Sequence, residues 1–295
     1  MKNRKLIVTL LALDAIIAAV VVAWFFWPQP APAFDAERAY NDVLAQTNFG
    51  PRIPGSPAHT QTVDYIVSEL QAAGWTVTLQ ETTYAGQNVR NISATRSNLE
   101  PKILLGAHYD SRLIADHDPD PTNHNQPVPG ANDGASGAAV LLEIARVLPE
   151  DSISVGLVFF DAEDNGHIPG WDWILGSRAF AEALTYRPEA FVLVDMIGDA
   201  DLNIFKERNS DPELTDAIWA EAQKLGYESA FIPDYKYRVI DDHIPFLEKG
   251  IRSVDIIDLD YPHYHTLQDT PDKVSPQSLK MVGDTLLAWL GMLNP

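Results

Sequence analysis

Val155-Gly-Leu-Val-Phe-Phe-Asp161-Ala-Glu163-Asp164-Asn-Gly166 is a short apolar run that ends in a cluster of acids. A run with no polar residue to face water reads as a strand buried on both sides, the kind found in parallel sheets. The same design recurs on either side of it. Upstream, Lys102-Ile-Leu-Leu-Gly-Ala-His108-Tyr-Asp110-Ser111 leaves an apolar run into histidine and aspartate. Downstream, Phe191-Val-Leu-Val-Asp195-Met-Ile-Gly198 ends in aspartate, and strand-like residues 253–257 lead into Asp260-Tyr-Pro-His263-Tyr-His265-Thr266. Between the first two runs, Pro129-Gly-Ala-Asn-Asp133-Gly-Ala-Ser-Gly137 sets glycines around a carboxylate, which lets the backbone turn tightly before residues 138–148 start a helix.

Strand-like and helix-like segments alternate along the chain. An early helix carries the apolar stripe Val63, Ile66, Val67 and Leu70, with Gly74 as its stop. Residues 75–81 and 88–95 read as an antiparallel pair at a sheet edge. Leu214, Ile218 and Leu225 mark another helix, and Ser275-Pro276 opens a last one through Leu279, Val282, Leu286 and Trp289. The pattern predicts a single α/β domain: a mixed, mostly parallel central sheet with helices on both faces. In such sheets functional groups collect beyond the carboxyl ends of the strands.

His108, Asp133, Asp164, Asp195 and His265 all stand at or just past an apolar run. Carboxylate oxygens and imidazole nitrogens are ligands of zinc and harder cations. One acid after one strand is often only a cap or turn residue. Capping, however, gives no reason for histidine at both ends of the series, so the set points to a metal. Adjacent acids such as Glu163 and Asp164 can divide the work, one binding metal and the other free as a base. Asp241 and Asp242 precede Ile244-Pro-Phe-Leu247 as a helix N-cap would, and Trp171, Trp173 and Tyr264 are aromatic anchors near the acidic segments. His59, His117, His124 and His167 fall in polar stretches without a partner pattern and read as non-ligands.

From about residue 48 onward these motifs resemble the co-catalytic zinc aminopeptidases and, within them, the glutaminyl-peptide cyclotransferases. The narrower resemblance rests on Gly176-Ser-Arg-Ala-Phe180, Asp195-Met-Ile-Gly-Asp199 and Asp241-Asp-His-Ile-Pro-Phe246. It implies a zinc aminopeptidase-like (phosphorylase/hydrolase-like) fold and one catalytic zinc on Asp133, Asp164 and His265, with an open fourth position. It also implies Glu163 as the proton carrier, held in an acid network by Asp195 and Asp241, and substrate packing on Trp171, Trp173 and Tyr264. The implied reaction turns the N-terminal glutamine of a peptide into pyroglutamate and releases ammonia. Two positions depart from the family pattern: Asp164 stands where glutamate is usual, and Asp255 where the animal enzymes carry histidine. Other readings stay open. A two-zinc aminopeptidase would add a second ion on His108 and Asp195, bridged by Asp133, and a non-catalytic tethered binding module would need no ion.

Ahead of the catalytic domain expected over residues 35–295, residues 1–5 are basic and residues 6–27 are apolar for long enough to span a bilayer. Charge placement then puts the N-terminus in the cytoplasm and the domain outside the cell membrane, with cleavage and secretion as the alternative. Residues 28–34 form a Pro-rich spacer. A net charge of −20 and an isoelectric point near 4.6 argue against nucleic acid as a partner. Peptide or protein N-termini are the expected substrates and a monomer the expected state. The absence of cysteine excludes disulfides.

Overall fold

The computed structural model describes residues 33–97, 99–150 and 152–294. The basic stub, the apolar run 6–27 and the spacer through residue 32 lie outside the described residues. Among those described, no helix is long and apolar enough to cross a membrane.

The central sheet has six strands among the described residues. Its edge is the hairpin of β1 (Thr76–Tyr84) and β2 (Gln87–Thr95), and β2 pairs antiparallel with β4 (Val155–Phe160). From β4 inward every pairing is parallel, through β3 (Ile103–His108) and β5 (Ala190–Asp195) to β8 (Arg252–Ile257). This is the expected mixed, mostly parallel sheet. Its central strands β3, β4 and β5 are buried at every position, as their unbroken apolar runs require.

Successive side chains go to opposite faces, so each central strand feeds two cores. Ile103, Leu105, Leu157, Phe159, Val192, Val194, Val254 and Ile256 pack on one face, against α1 (Ala36–Asn48), α2 (Pro57–Ala72), α3 (Ala135–Val147), α5 (Pro212–Lys224) and α7 (Pro276–Met292). Leu104, Val158, Phe160, Phe191 and Leu193 go the other way, onto α4 (Leu175–Ala183) and the short α6 (Ile244–Glu248). Gly106 keeps this second core thin: a Cβ there would lie 2.5 Å from the Phe191 ring. A separate pair, β6 (Ile204–Lys206) and β7 (Phe231–Tyr235), runs parallel beyond β8.

Helix boundaries follow local chemistry. Ser56, Asp211 and Ser275 each accept a backbone N–H from the first turn of α2, α5 and α7, and proline follows each cap. Gly74 ends α2 in the left-handed region, φ 83°. Leu225 departs from expectation: it is the residue after α5 and 41% exposed, because the helix buries Leu214, Thr215, Ile218, Trp219 and Ala222 and stops at Lys224.

Candidate metal centre and active site

Because β4, β3, β5 and β8 run the same way, their carboxyl ends open on one edge, and the residues past those ends share it. His108 is the last residue of β3 and Asp195 the last of β5, while Glu163 and Asp164 follow β4. Asp133 comes from the turn into α3. The turns that aim these groups are strained. Ala162, Met196 and His265 have φ of 55°, 46° and 58° without being glycine, each costing on the order of 1 kcal/mol or more.

Two ligand sets form, and they share one carboxylate. His108 Nε2 lies 3.0 Å from Asp133 Oδ1 and 3.1 Å from Asp195 Oδ1. His265 Nε2 lies 2.8 Å from Asp164 Oδ1 and 3.6 Å from Asp133 Oδ2. Around a tetrahedral zinc with bonds of about 2.0–2.1 Å, donor atoms sit about 3.3 Å apart, so both spacings suit a cation at their centre. The donor chemistry fits as well. Asp133 Oδ2 and Asp164 Oδ2 are buried without a hydrogen-bond partner, an arrangement that is costly unless something positive is held there. Burial, against the pull of Asp133, holds the His265 imidazole down to about 3, so it is the neutral ligand form at ordinary pH. Gly134 makes the approach possible, since a Cβ on it would stand 2.3 Å from His108 Nε2.

Residues that the sequence reading passed over fix these ligands. Asp110 accepts the backbone N–H of Glu163 at 3.1 Å and has an oxygen 3.4 Å from His108 Nδ1, so it ties the end of β3 to the acidic loop. Asp269 accepts the N–H groups of Asn132 (2.8 Å) and Asp133 (3.1 Å) and the Tyr261 hydroxyl (2.7 Å). Burial, then the charge of Asp133, pushes Asp269 up to about 7. Buried Arg52 donates to the carbonyls of Tyr109, Pro129 and Gly130 and so holds the Asp133 turn. Arg112 donates to the Asp164 carbonyl at 2.8 Å and to both oxygens of Asp116 at 2.7 Å. Asp116 and His117 come near the outer side of His265 as a further possible ligand group. With both Asp116 oxygens engaged by a guanidinium, that group is a poor cation site.

His263 stays off the metal: residues 262–265 form turns, and its ring packs edge-on against Tyr261 at 5.5 Å. His59 is not in a polar loop either. It lies in the first turn of α2, buried, with Nε2 2.7 Å from Asp161. Asp241 and Asp242 are not helix caps, because α6 is capped by His243 and no side chain closes its first turn. They are buried behind the site instead. Burial, and next the charge of Asp241, push Glu163 well above the usual carboxylate range. Burial does the same to Asp241, followed by the charge of Asp195, and to Asp255, followed by that of Asp241. Behind them His243 lies 3.4 Å from Glu207 and 3.8 Å from Asp255.

A cavity of about 300 Å³ opens over the centre. Asp133, Glu163, Asp164, Asp195 and Asp241 line it, with Trp173 and Tyr264 among its walls. Tyr264 stacks on the His265 ring at 3.5 Å, and Trp173 lies parallel to that ring at 6.0 Å. Trp171 is elsewhere: it packs on the small cluster of Val89, Ala162 and Leu175 and does not line this cavity.

Residues 89–290 match the model of Peptidase family M28. The glutaminyl-peptide cyclotransferase of Bos taurus is 27% identical over 271 residues, covering 76% of this chain and 73% of that one. Among solved structures, the glutaminyl cyclase of Tannerella forsythia superposes with a TM-score of 0.82 at 35% identity, covering 88% of this chain and 99% of that one. A leucine aminopeptidase precursor from Bacteroides thetaiotaomicron superposes with a TM-score of 0.83 at 34% identity, covering 88% and 98%. With its ligand spacing, its paired acids and these likenesses taken together, the chain belongs to Peptidase family M28 and, within it, to the glutaminyl cyclases.

Proposed function

We propose that this protein is a zinc-dependent glutaminyl-peptide cyclotransferase with one catalytic zinc, held by Asp133, Asp164 and His265. The observation that carries the reading is that Glu163 and Asp241, from two distant segments, line one cavity with Asp133 and Asp164 of a ligand group that His265 completes. Zinc, when bound, acts as a Lewis acid on the side-chain carbonyl of the substrate.

The chain's own residues do the rest. Glu163 takes a proton from the substrate's α-amine as its nitrogen bonds to the side-chain carbonyl carbon, and returns a proton to the nitrogen that leaves as ammonia. A carboxyl raised above the ordinary range by burial and by Asp241 suits both halves of that task better than an ordinary one. Asp195 and Asp241 keep Glu163 in place from behind, while Trp173 and Tyr264 flank the reacting residue. Nucleophile and carbonyl belong to one molecule, so positioning in the cavity supplies much of the rate.

One observation favours a second reading. His108, Asp133 and Asp195 make another complete ligand group, as a two-zinc aminopeptidase would need. Zinc content measured beside the products from a Gln-initiated peptide decides. One zinc with ammonia release supports the cyclase. Two zincs with release of free glutamine support the peptidase, and neither product sinks both. We propose further that the substrates are peptide or protein N-termini, that the protein acts as a monomer, and that residues 6–27 tether it to the membrane with the catalytic domain outside.

A further inference from the structure

The floor of the cavity is acidic, but its mouth is not. Arg238, Val239, Ile240 and Leu259 line the outer part with His167, and Arg238 is the only Arg or Lys of the lining among the described residues. The guanidinium donates to Asn209 Oδ1, and the Asn209 amide donates to the Val239 carbonyl at 2.7 Å. A neutral amide thus aims the cation without neutralising it. Of the cations near it, Lys236 meets Asp260 at 2.7 Å, while Arg208 is turned onto the backbone carbonyls of Tyr235 and Lys236. Arg238 has no acidic partner among the described residues, in a chain whose net charge is −20. Beside it Ile240 is 64% exposed and offers an apolar shoulder.

We propose that Arg238 is a specificity-determining residue, which selects peptides with an acidic residue in second position. The inference rests on the cyclase reading. Both reacting groups of the first residue, its amine and its side-chain carbonyl, must reach the floor near Glu163 and the ligand set. The first residue therefore fills the inner cavity, and the chain leaves through the mouth, where the second side chain passes Arg238. A glutamate there sets its methylenes on Ile240 and its carboxylate against the guanidinium, while a lysine meets like charge. The contact is half in water, so the discrimination is modest.

The test uses the zinc-loaded enzyme and three amidated peptides that differ only in second position: Gln-Glu, Gln-Gln and Gln-Lys. The expected order of kcat/KM is Glu over Gln over Lys, by about threefold per step at low salt, and it narrows as salt is added. Arg238→Gln should abolish the order, and Arg238→Glu should reverse it. Each comparison is a ratio within one enzyme, so a variant that is partly inactive still reads out. No order in the wild type, or an order that survives in Arg238→Gln, overturns the proposal. Failure to release ammonia from any of the three sinks the cyclase reading, and this proposal with it.

Discussion

His59 Nε2 and Asp161 Oδ1 meet at 2.7 Å behind the loop that carries Glu163, though they are far apart in sequence. The same nitrogen lies 3.0 Å from the Tyr109 hydroxyl, which donates to the Arg90 carbonyl at 2.7 Å. A helix on one side of the sheet is thereby pinned to the ends of β3 and β4. His59→Ala would leave Asp161 buried with one backbone donor, Arg90 N–H at 2.8 Å. Losing the partner of a buried carboxylate costs about 1–3 kcal/mol. Urea unfolding should show that loss with zinc content unchanged, since His59 touches no ligand, and an unaltered midpoint would remove the structural role given to the pair.

Glu163→Gln keeps the shape of the side chain and removes its ability to take a proton. Turnover should fall by at least about a hundredfold while bound zinc stays at the wild-type level. Full metal with full activity would place the proton carrier elsewhere.

The parts of this architecture that were legible in the sequence are those where one physical demand wrote one pattern. Unbroken apolar runs such as residues 155–160 must be buried on both faces, and the ligands after them recur in a fixed order with histidine at both ends. The rest lacked such a mark. α1 buries Asp42 and Gln46 beside Ala39 and Val43, and Asp42 is satisfied by Arg146 and Tyr65, so its inner face reads as polar. Asp110 and Asp269 look like ordinary loop acids, and only folding brings Asp269 under the amides of Asn132 and Asp133. Trp171 and Trp173 are indistinguishable by composition. Only Trp173 turns onto the site, fitting against Gly166, where a Cβ would stand 2.0 Å from its ring.

Gly134→Ala tests the close approach of the Asp133 turn to β3. The added methyl carbon would stand 2.3–2.5 Å from the His108 ring atoms, and neither backbone nor ring has room to yield. The expected outcome is displacement of His108 and Asp133 and a loss of zinc affinity of about tenfold or more, read by competition with a chelator. Unchanged affinity would mean that the close packing of the Asp133 turn on His108 is not what holds Asp133 in place for the metal.

Glu207 gives a pH dependence away from the metal. Burial alone would raise its carboxyl. The contact with His243 and the N–H groups of Asn209 (2.7 Å) and Val239 (2.9 Å) outweigh burial and hold it at about 2. A carboxyl depressed on folding contributes stability that is present above its ordinary range and lost as pH falls through about 2. Glu207→Gln should therefore be less stable than the wild type by on the order of 3 kcal/mol near neutrality, and the gap should close on acidification. A gap independent of pH would mean that packing, not charge, is what Glu207 supplies.

Asp241 separates a capping role from a chemical one. Its carboxylate does not close the first turn of α6: Oδ1 accepts the adjacent Asp242 N–H, and Oδ2 is buried without a partner in the cavity wall beside Glu163. Loss of a helix cap would cost about 1 kcal/mol of stability and little activity. A residue that shares charge and protons with Glu163 behaves the other way, because Asn keeps the shape and the acceptor but cannot repel or exchange a proton. Asp241→Asn should leave unfolding and zinc content close to wild type while kcat for pyroglutamate formation falls by about tenfold or more and its pH profile shifts toward lower pH. That direction follows from removing the charge that raises the Glu163 carboxyl after burial. A variant with wild-type kcat and a lowered unfolding midpoint would return Asp241 to a purely structural role and leave Glu163 to act without it.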